Sequence, residues 1–95
     1  MSEHLGNAEM SLQQGNKTEA AKQVAAFNSS WERNKTIMST FIRHSELDTV
    51  NLSAAKLKPY LKFSDTAEFC AESESLRFQL HHIWETEKFS IDNVL

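Results

Sequence analysis

Histidine, cysteine and carboxylate side chains are where chemistry would start in this chain, and their spacing limits what they could do. The histidines stand at positions 4, 44, 81 and 82. His81 and His82 are adjacent, so on a helix their rings diverge by about 100° and cannot chelate a metal from one face. Each has helical spacing to Glu85, but a metal site would need further ligands from another helix, such as His44, Glu46 or Asp48. The preferred reading makes them surface or half-buried polar residues that pair with Glu74 or Glu85. His44-Ser45-Glu46 contains the residue types of a Ser/His/acid hydrolase. Neighbours in sequence cannot line up as nucleophile, base and orienting acid, however, and no strand–turn–helix elbow is present. His44 better suits the last turn of a helix, where an imidazolium meets the C-terminal dipole, with Asp48 capping the next helix. Cys70 near a helix N-terminus could have a lowered pKa; a small hydrophobe at a helix interface is the preferred role. As the lone cysteine it forms no internal disulfide and no zinc pattern. No cofactor, metal or catalytic residue is expected.

These groups must be carried by helices. Two glycines and one proline in 95 residues leave little scope for hairpins or long loops. Leu5, Ala8 and Leu12 recur at helical spacing in a short first helix, about 2–14, which is expected to fray. Gly15 reads as the residue that closes it. Asn16-Lys17-Thr18-Glu19 has the form of a capping box, with Glu19 reaching back to the Asn16 amide. A second helix, about 17–44, carries Ala20, Val24, Phe27, Trp31, Met38 and Phe41/Ile42 on one face. At about 28 residues it would be about 40 Å long and the longest element. Asp48 or Asn51 is expected to cap a third helix, about 51–62, bearing Leu52, Ala55, Leu57, Tyr60 and Leu61, with Pro59 kinking or stopping it. Asp65-Thr66-Ala67-Glu68 opens a fourth, about 65–86, with Phe69, Leu76, Leu80 and Ile83 inward and Ser73 weakening the stripe. A second, offset line runs through Ala71, Phe78 and His82. The apolar tail, Lys88 to Leu95, is expected to fold back as a short turn over one end of the bundle.

The resulting fold class is all-α: one domain, an antiparallel up-and-down bundle of about four helices with a short C-terminal turn. A chain this size buries about 60–65% of its unfolded surface, enough for one core but not for an enclosed substrate cavity as well. Ten basic against thirteen acidic residues give a net charge of -3. No two Lys or Arg residues adjoin, so a phosphate-tracking stripe is absent and nucleic-acid binding is disfavoured. No apolar run reaches the roughly 18 residues of a membrane span, and the first twelve residues lack an apolar signal core.

Trp31, followed by Phe41-Ile42-Arg43-His44-Ser45-Glu46-Leu47-Asp48, resembles the W…FIxHxEID signature of the bacterial family known as domain of unknown function 4363. Leu76 to Ile83 and Glu87 to Leu95 are similar to that family's LKFLIEHI and EKFxLxNIL. The resemblance runs from about Gly15 to Leu95. It implies a small helical protein with no assigned activity or cofactor. It also implies an N-terminal membrane span that places the domain outside the cytoplasmic membrane. The chain as read lacks that span, which leaves open a domain trimmed of its anchor or a different localisation. Pro59 departs from the helix-compatible residue the family generally has there. The signature draws attention to His44, Glu46 and Asp48, for which a structural hinge is a sufficient explanation.

The function expected from these readings is a non-enzymatic interaction domain, working with a membrane-protein partner or pairing with itself as a homodimer. Its binding surface would draw on Arg77, Phe78, His82 and Trp84 together with the corner formed by His44, Glu46 and Asp48. Two alternatives stand beside it. One is a metal-dependent or acid–base enzyme using His44, Glu46, Asp48, His81 and His82; the other is a cytoplasmic helical adaptor or regulator.

Overall fold

The computed structural model describes the backbone of residues 2–40 and 42–94 and the side chains of 2–40 and 42–85. Its elements are α1 (Ser2–Gln13), α2 (Lys17–Met38), α3 (His44–Lys62) and α4 (Thr66–Val94). Each helix packs on its neighbour in sequence, and α4 returns onto α1 to close the ring. Connections this short make the neighbours antiparallel, so the all-α up-and-down bundle is the architecture present.

Two of the turns are built alike. After α1 the Asn16 amide bonds Ser11 O at 2.8 Å and Gly15 takes φ 79°. After α3 the Asp65 amide bonds Tyr60 O at 2.9 Å and Ser64 takes φ 57°. Both are Schellman closures, in which a left-handed residue lets the chain satisfy the last carbonyls. The next residue then caps the following helix: Asn16 Oδ1 accepts from the Glu19 amide at 3.1 Å, and Asp65 Oδ1 from the Glu68 amide at 3.2 Å. Glu19 does not reach back to Asn16 as expected. The Asn16 amide is already bonded to Ser11, and Glu19 Oε1 accepts instead from Gln23 Nε2. Lys17 Nζ ties the two turns into one end of the bundle, donating to Lys62 O at 3.0 Å and Ser64 Oγ at 3.2 Å.

The turn between α2 and α3 is different, and here the expected boundaries are corrected. Helix α2 ends at Met38 rather than at His44, and α3 starts at His44 rather than at Asn51. The Ser39 hydroxyl bonds Thr36 O at 2.6 Å, and the Thr40 amide turns to Ile37 O. Such hydroxyl-to-backbone bonds compete with the helical ladder. The N-cap of α3 is Arg43, in extended backbone with no side-chain cap bond. Asp48 and Asn51 therefore sit inside the helix and cap nothing. Asn51 Oδ1 instead accepts from Trp31 Nε1 at 2.6 Å, fastening α3 to α2. Pro59 neither kinks α3 to a stop nor interrupts it; the helix runs on to Lys62. The bond Pro59 cannot donate would have gone to the carbonyl of Ala55, an exposed residue, where water can take its place.

The longest element is α4, not α2. Its 29 residues span about 43 Å, against a longest molecular extent of 40 Å. The tail does not fold back as a turn, because no glycine or proline interrupts Thr66 to Val94 and the backbone stays helical. Whether Phe89, Ile91, Val94 and Leu95 cover the core concerns side chains outside the described residues, as does the place of Phe41 on the α2 stripe.

The core takes Leu5, Ala8 and Leu12 from α1, Ala20, Val24, Phe27, Trp31 and Met38 from α2, and Ile42 from the turn. Helix α3 adds Leu47, Val50, Ala54, Leu57 and Leu61, and α4 adds Phe69, Leu76, Leu80 and Ile83. The early start of α3 changes its phase. Leu47, Val50, Ala54, Leu57 and Leu61 step by three and four, which turns Leu52 outward at 65% exposure and leaves Ala55 exposed as well. Helix α1, far from hanging loose, inserts Leu5 and Ala8 with no exposed surface.

Candidate functional site

Residues two apart on a helix point about 200° apart, and this separates the His44–Asp48 corner. His44 and Asp48, one turn apart on α3, face α2 across an open hollow of about 260 Å³ shared with Lys35 and Ser39. Glu46 faces the other way, into a smaller hollow of about 140 Å³ between α3 and α4, lined also by Thr49, Phe78, Gln79, His82 and Ile83. The structure thus brings Glu46, Phe78 and His82 together and leaves His44 and Asp48 on the far side of the helix. His81 Nε2 lies 4.0 Å from Glu85 Oε1 in solvent. Among the described residues no group of three or more His, Cys, Asp or Glu side chains gathers where it could hold a metal ion.

The hollow between α3 and α4 has an apolar lip and a polar floor. Phe78 is 73% exposed and forms the lip. Gln79 Nε2 reaches Ser53 Oγ at 3.4 Å and Ser75 Oγ at 3.3 Å, while its buried Oε1 has no partner among the described residues. With the amide turned over, the oxygen would accept from those hydroxyls and the NH₂ would face the hollow. In either orientation one end of this amide is buried without a partner among the described residues.

Arg77 belongs to another seam. Its Nη1 lies 2.9 Å from Glu74 Oε1 and 3.4 Å from Glu9 Oε2, bridging α4 to α1 over Gly6. Glu9 is 7% exposed, and its Oε2 accepts from the Ser73 hydroxyl at 2.9 Å. Burial pushes the Glu9 carboxyl above its ordinary range, and the nearby Glu74 adds to this, against the Ser73 hydroxyl bond and the Arg77 charge, which lower it. Trp84, one heptad beyond Arg77 and therefore nearly in line with it, is 40% exposed. The Cys70 thiol is not lowered by its place near the start of α4. Burial raises it, Gln13 opposes at 3.7 Å, and the Glu9 and Glu74 charges raise it further.

Sequence reasoning passed over Leu52, Glu9 and Ser73 as members of these surfaces. The signal for the last two was present. Ser73 interrupts the inward stripe of α4, and Glu9 lies one helical turn from Leu5 beside Ala8. A polar gap on one helix and a polar residue beside the stripe of another are complementary. Leu52 carried no such signal, because its direction depends on where α3 begins.

None of the described helices is long and apolar enough to cross a membrane. The family model described as Domain of unknown function (DUF4363) matches residues 1–94. No curated protein and no solved structure matches the chain.

Proposed function

The chain belongs to the family described as Domain of unknown function (DUF4363), and from that premise we propose that it is a non-enzymatic docking module that binds a protein partner through the outer face of α3 and α4. One observation carries this: Phe78 and Leu52 stand 73% and 65% exposed on adjacent helices of a bundle whose core is already filled. A large apolar side chain left in water forgoes about 1.5–3 kcal/mol of burial, and neighbouring apolar side chains on a surface mark a place where another protein sits. Glu46, Gln79 and His82 beside Phe78 supply the polar rim of such a contact. The groups that a hydrolytic reaction would need are dispersed, with His44 and Asp48 on one side of α3 and Glu46 on the other.

A photo-crosslinking residue in place of Phe78 or Leu52 tests the docking face, with the exposed Lys22 of α2 as the control position. Discrete protein adducts are expected at 78 and 52 and not at 22; equal yields at all three overturn the reading. The setting we propose, beside a membrane protein outside the cytoplasmic membrane, rests on the family resemblance. Protease added to intact cells should cleave the domain there. Protection until lysis would replace that setting with a cytoplasmic adaptor.

A further inference from the structure

We infer that the hollow between α2 and α3 is a binding site for a small organic anion, one with a carboxylate or phosphate head and an apolar body. The hollow holds about 330 Å³ and lies on the α2 side of α3, away from the docking face. Sites for small molecules begin at about this volume. Small side chains keep it open. Helices α2 and α3 are the least closely packed of the helices adjacent in sequence, and α3 presents Ala54 and Ala55 here, where longer residues would fill the gap.

The polar lining is rich in donors that nothing in the chain uses. Trp31 Nε1 can only donate, so the atom it meets at 2.6 Å is the Asn51 oxygen. This fixes the orientation of the amide and leaves the Asn51 NH₂ without a partner among the described residues. Asn28, half-buried on the α2 wall, makes no side-chain bond among the described residues either. Lys35 and Lys58 bring two ammonium groups to the lining against one carboxylate, that of Glu32. Glu32 lies 3.0 Å from Lys35, whereas Lys58 is in no ion pair among the described residues.

The charges also say where in the hollow an anion would sit. Glu32 stands at the Lys35 end, and Asp48 lies beyond it in the adjoining hollow that shares Lys35 and Asn51. Both repel an anion from that end. Lys58 is seven residues from Asn51 on the same line of α3, about 10 Å away, with Ala54 and Ala55 between them. An oxyanion at Lys58, with Asn28 on the facing wall, leaves the rest of the ligand over the two alanines and beside Trp31. A carboxylate or phosphate accepts from all of these donors, and bonds to an ionised acceptor are the stronger kind. A cationic ligand would leave the donors unmet. Solvent screens the site, so a Kd of roughly millimolar order is expected for so small a ligand.

The Trp31 indole N–H signal in a proton–nitrogen correlation spectrum reads the site on the full chain, with Trp84→Phe identifying which indole is which. The probes are benzoate and phenyl phosphate, with benzyl alcohol and inorganic phosphate for comparison, each taken to about 50 mM at constant ionic strength to exceed such a Kd. One or both organic acids should shift the signal saturably, and the tighter of the two names the head group. Lys58→Gln should weaken binding several-fold and Lys58→Arg, which keeps the charge, should restore most of it. Lys22→Gln, exposed elsewhere on α2, should leave it unchanged. Far-UV circular dichroism confirms that each variant is folded. The proposal is overturned if neither acid gives a saturable shift, or if Lys58→Gln binds as the wild type does. Benzyl alcohol binding as tightly as benzoate overturns it too, because charge would then be irrelevant. So does inorganic phosphate binding as tightly as phenyl phosphate, because the apolar body would then be irrelevant. None of these results bears on the docking face, which is read at positions 78 and 52.

Discussion

Two sides of α4 invert the usual rule of apolar inside and polar outside. Toward α1 the helix buries Ser73 completely, and with it the Glu9 carboxyl. Five residues on, Phe78 lies 73% exposed on the outer side. The difference is one of neighbours. Ser73 meets a helix that offers an acceptor at 2.9 Å, with Arg77 within 3.4 Å of the same oxygen, so the polar atoms are satisfied without water. Phe78 meets no fifth helix among the described residues. The polar residue inside is explained by its hydrogen bonds; the apolar residue outside is what the docking face proposed above rests on.

The two phenylalanines of α4 that face opposite ways should differ most in what their loss costs. Phe69→Ala, at a site with no exposed surface, should cost about 3–5 kcal/mol in urea denaturation. Phe78→Ala should stay within about 0.5 kcal/mol, as a surface change does. Similar losses from both would mean that Phe78 is structural. In the polar seam, Ser73→Ala should cost about 1–2 kcal/mol, because it leaves the buried Glu9 oxygen short of a donor.

Gly6→Ala tests how tightly that seam is closed. An added Cβ would lie 3.5 Å from the Arg77 guanidinium, an ordinary contact. The variant should therefore show the gain of an alanine inside a helix, about 0.5–1 kcal/mol, visible as a rise of several degrees in Tm. A loss would place Arg77 harder against α1 than the contact distances imply. The smallest expected effect is in pH dependence. The Glu9 pKa is raised on folding, so the native chain holds its proton to higher pH than the unfolded chain does. The contribution of this group is then fully present below the ordinary carboxylate range and is lost as pH rises through the folded pKa. Glu9→Gln should flatten that part of the stability–pH curve; an unchanged slope would assign it to another group.

Much of the bundle was legible because it is written in local chemistry. Gly15-Asn16 and Asp65 marked two of the three turns through backbone conformation and capping oxygens, which depend on residues a few positions apart. The turn from α2 to α3 was not legible. Ser39 and Thr40 end α2 with hydroxyl and backbone bonds that leave no glycine or proline to notice. That unmarked boundary carried an error into the site: it placed Leu52 in the core stripe and made Asp48 a cap. Of the residues singled out for the surface, Glu46, Phe78 and His82 share one hollow, His44 and Asp48 share another, and Arg77 is engaged with α1.

By itself the order of residues determined that this chain is helical, how many helices it has and which faces of α2 and α4 turn inward, because these depend on spacings within one segment. Only the tertiary structure decided where α3 begins, that Glu9 is buried against Ser73, and that Leu52 and Phe78 turn outward. Those facts depend on the height at which one helix lies beside another, and that height is set by the packing of all four together.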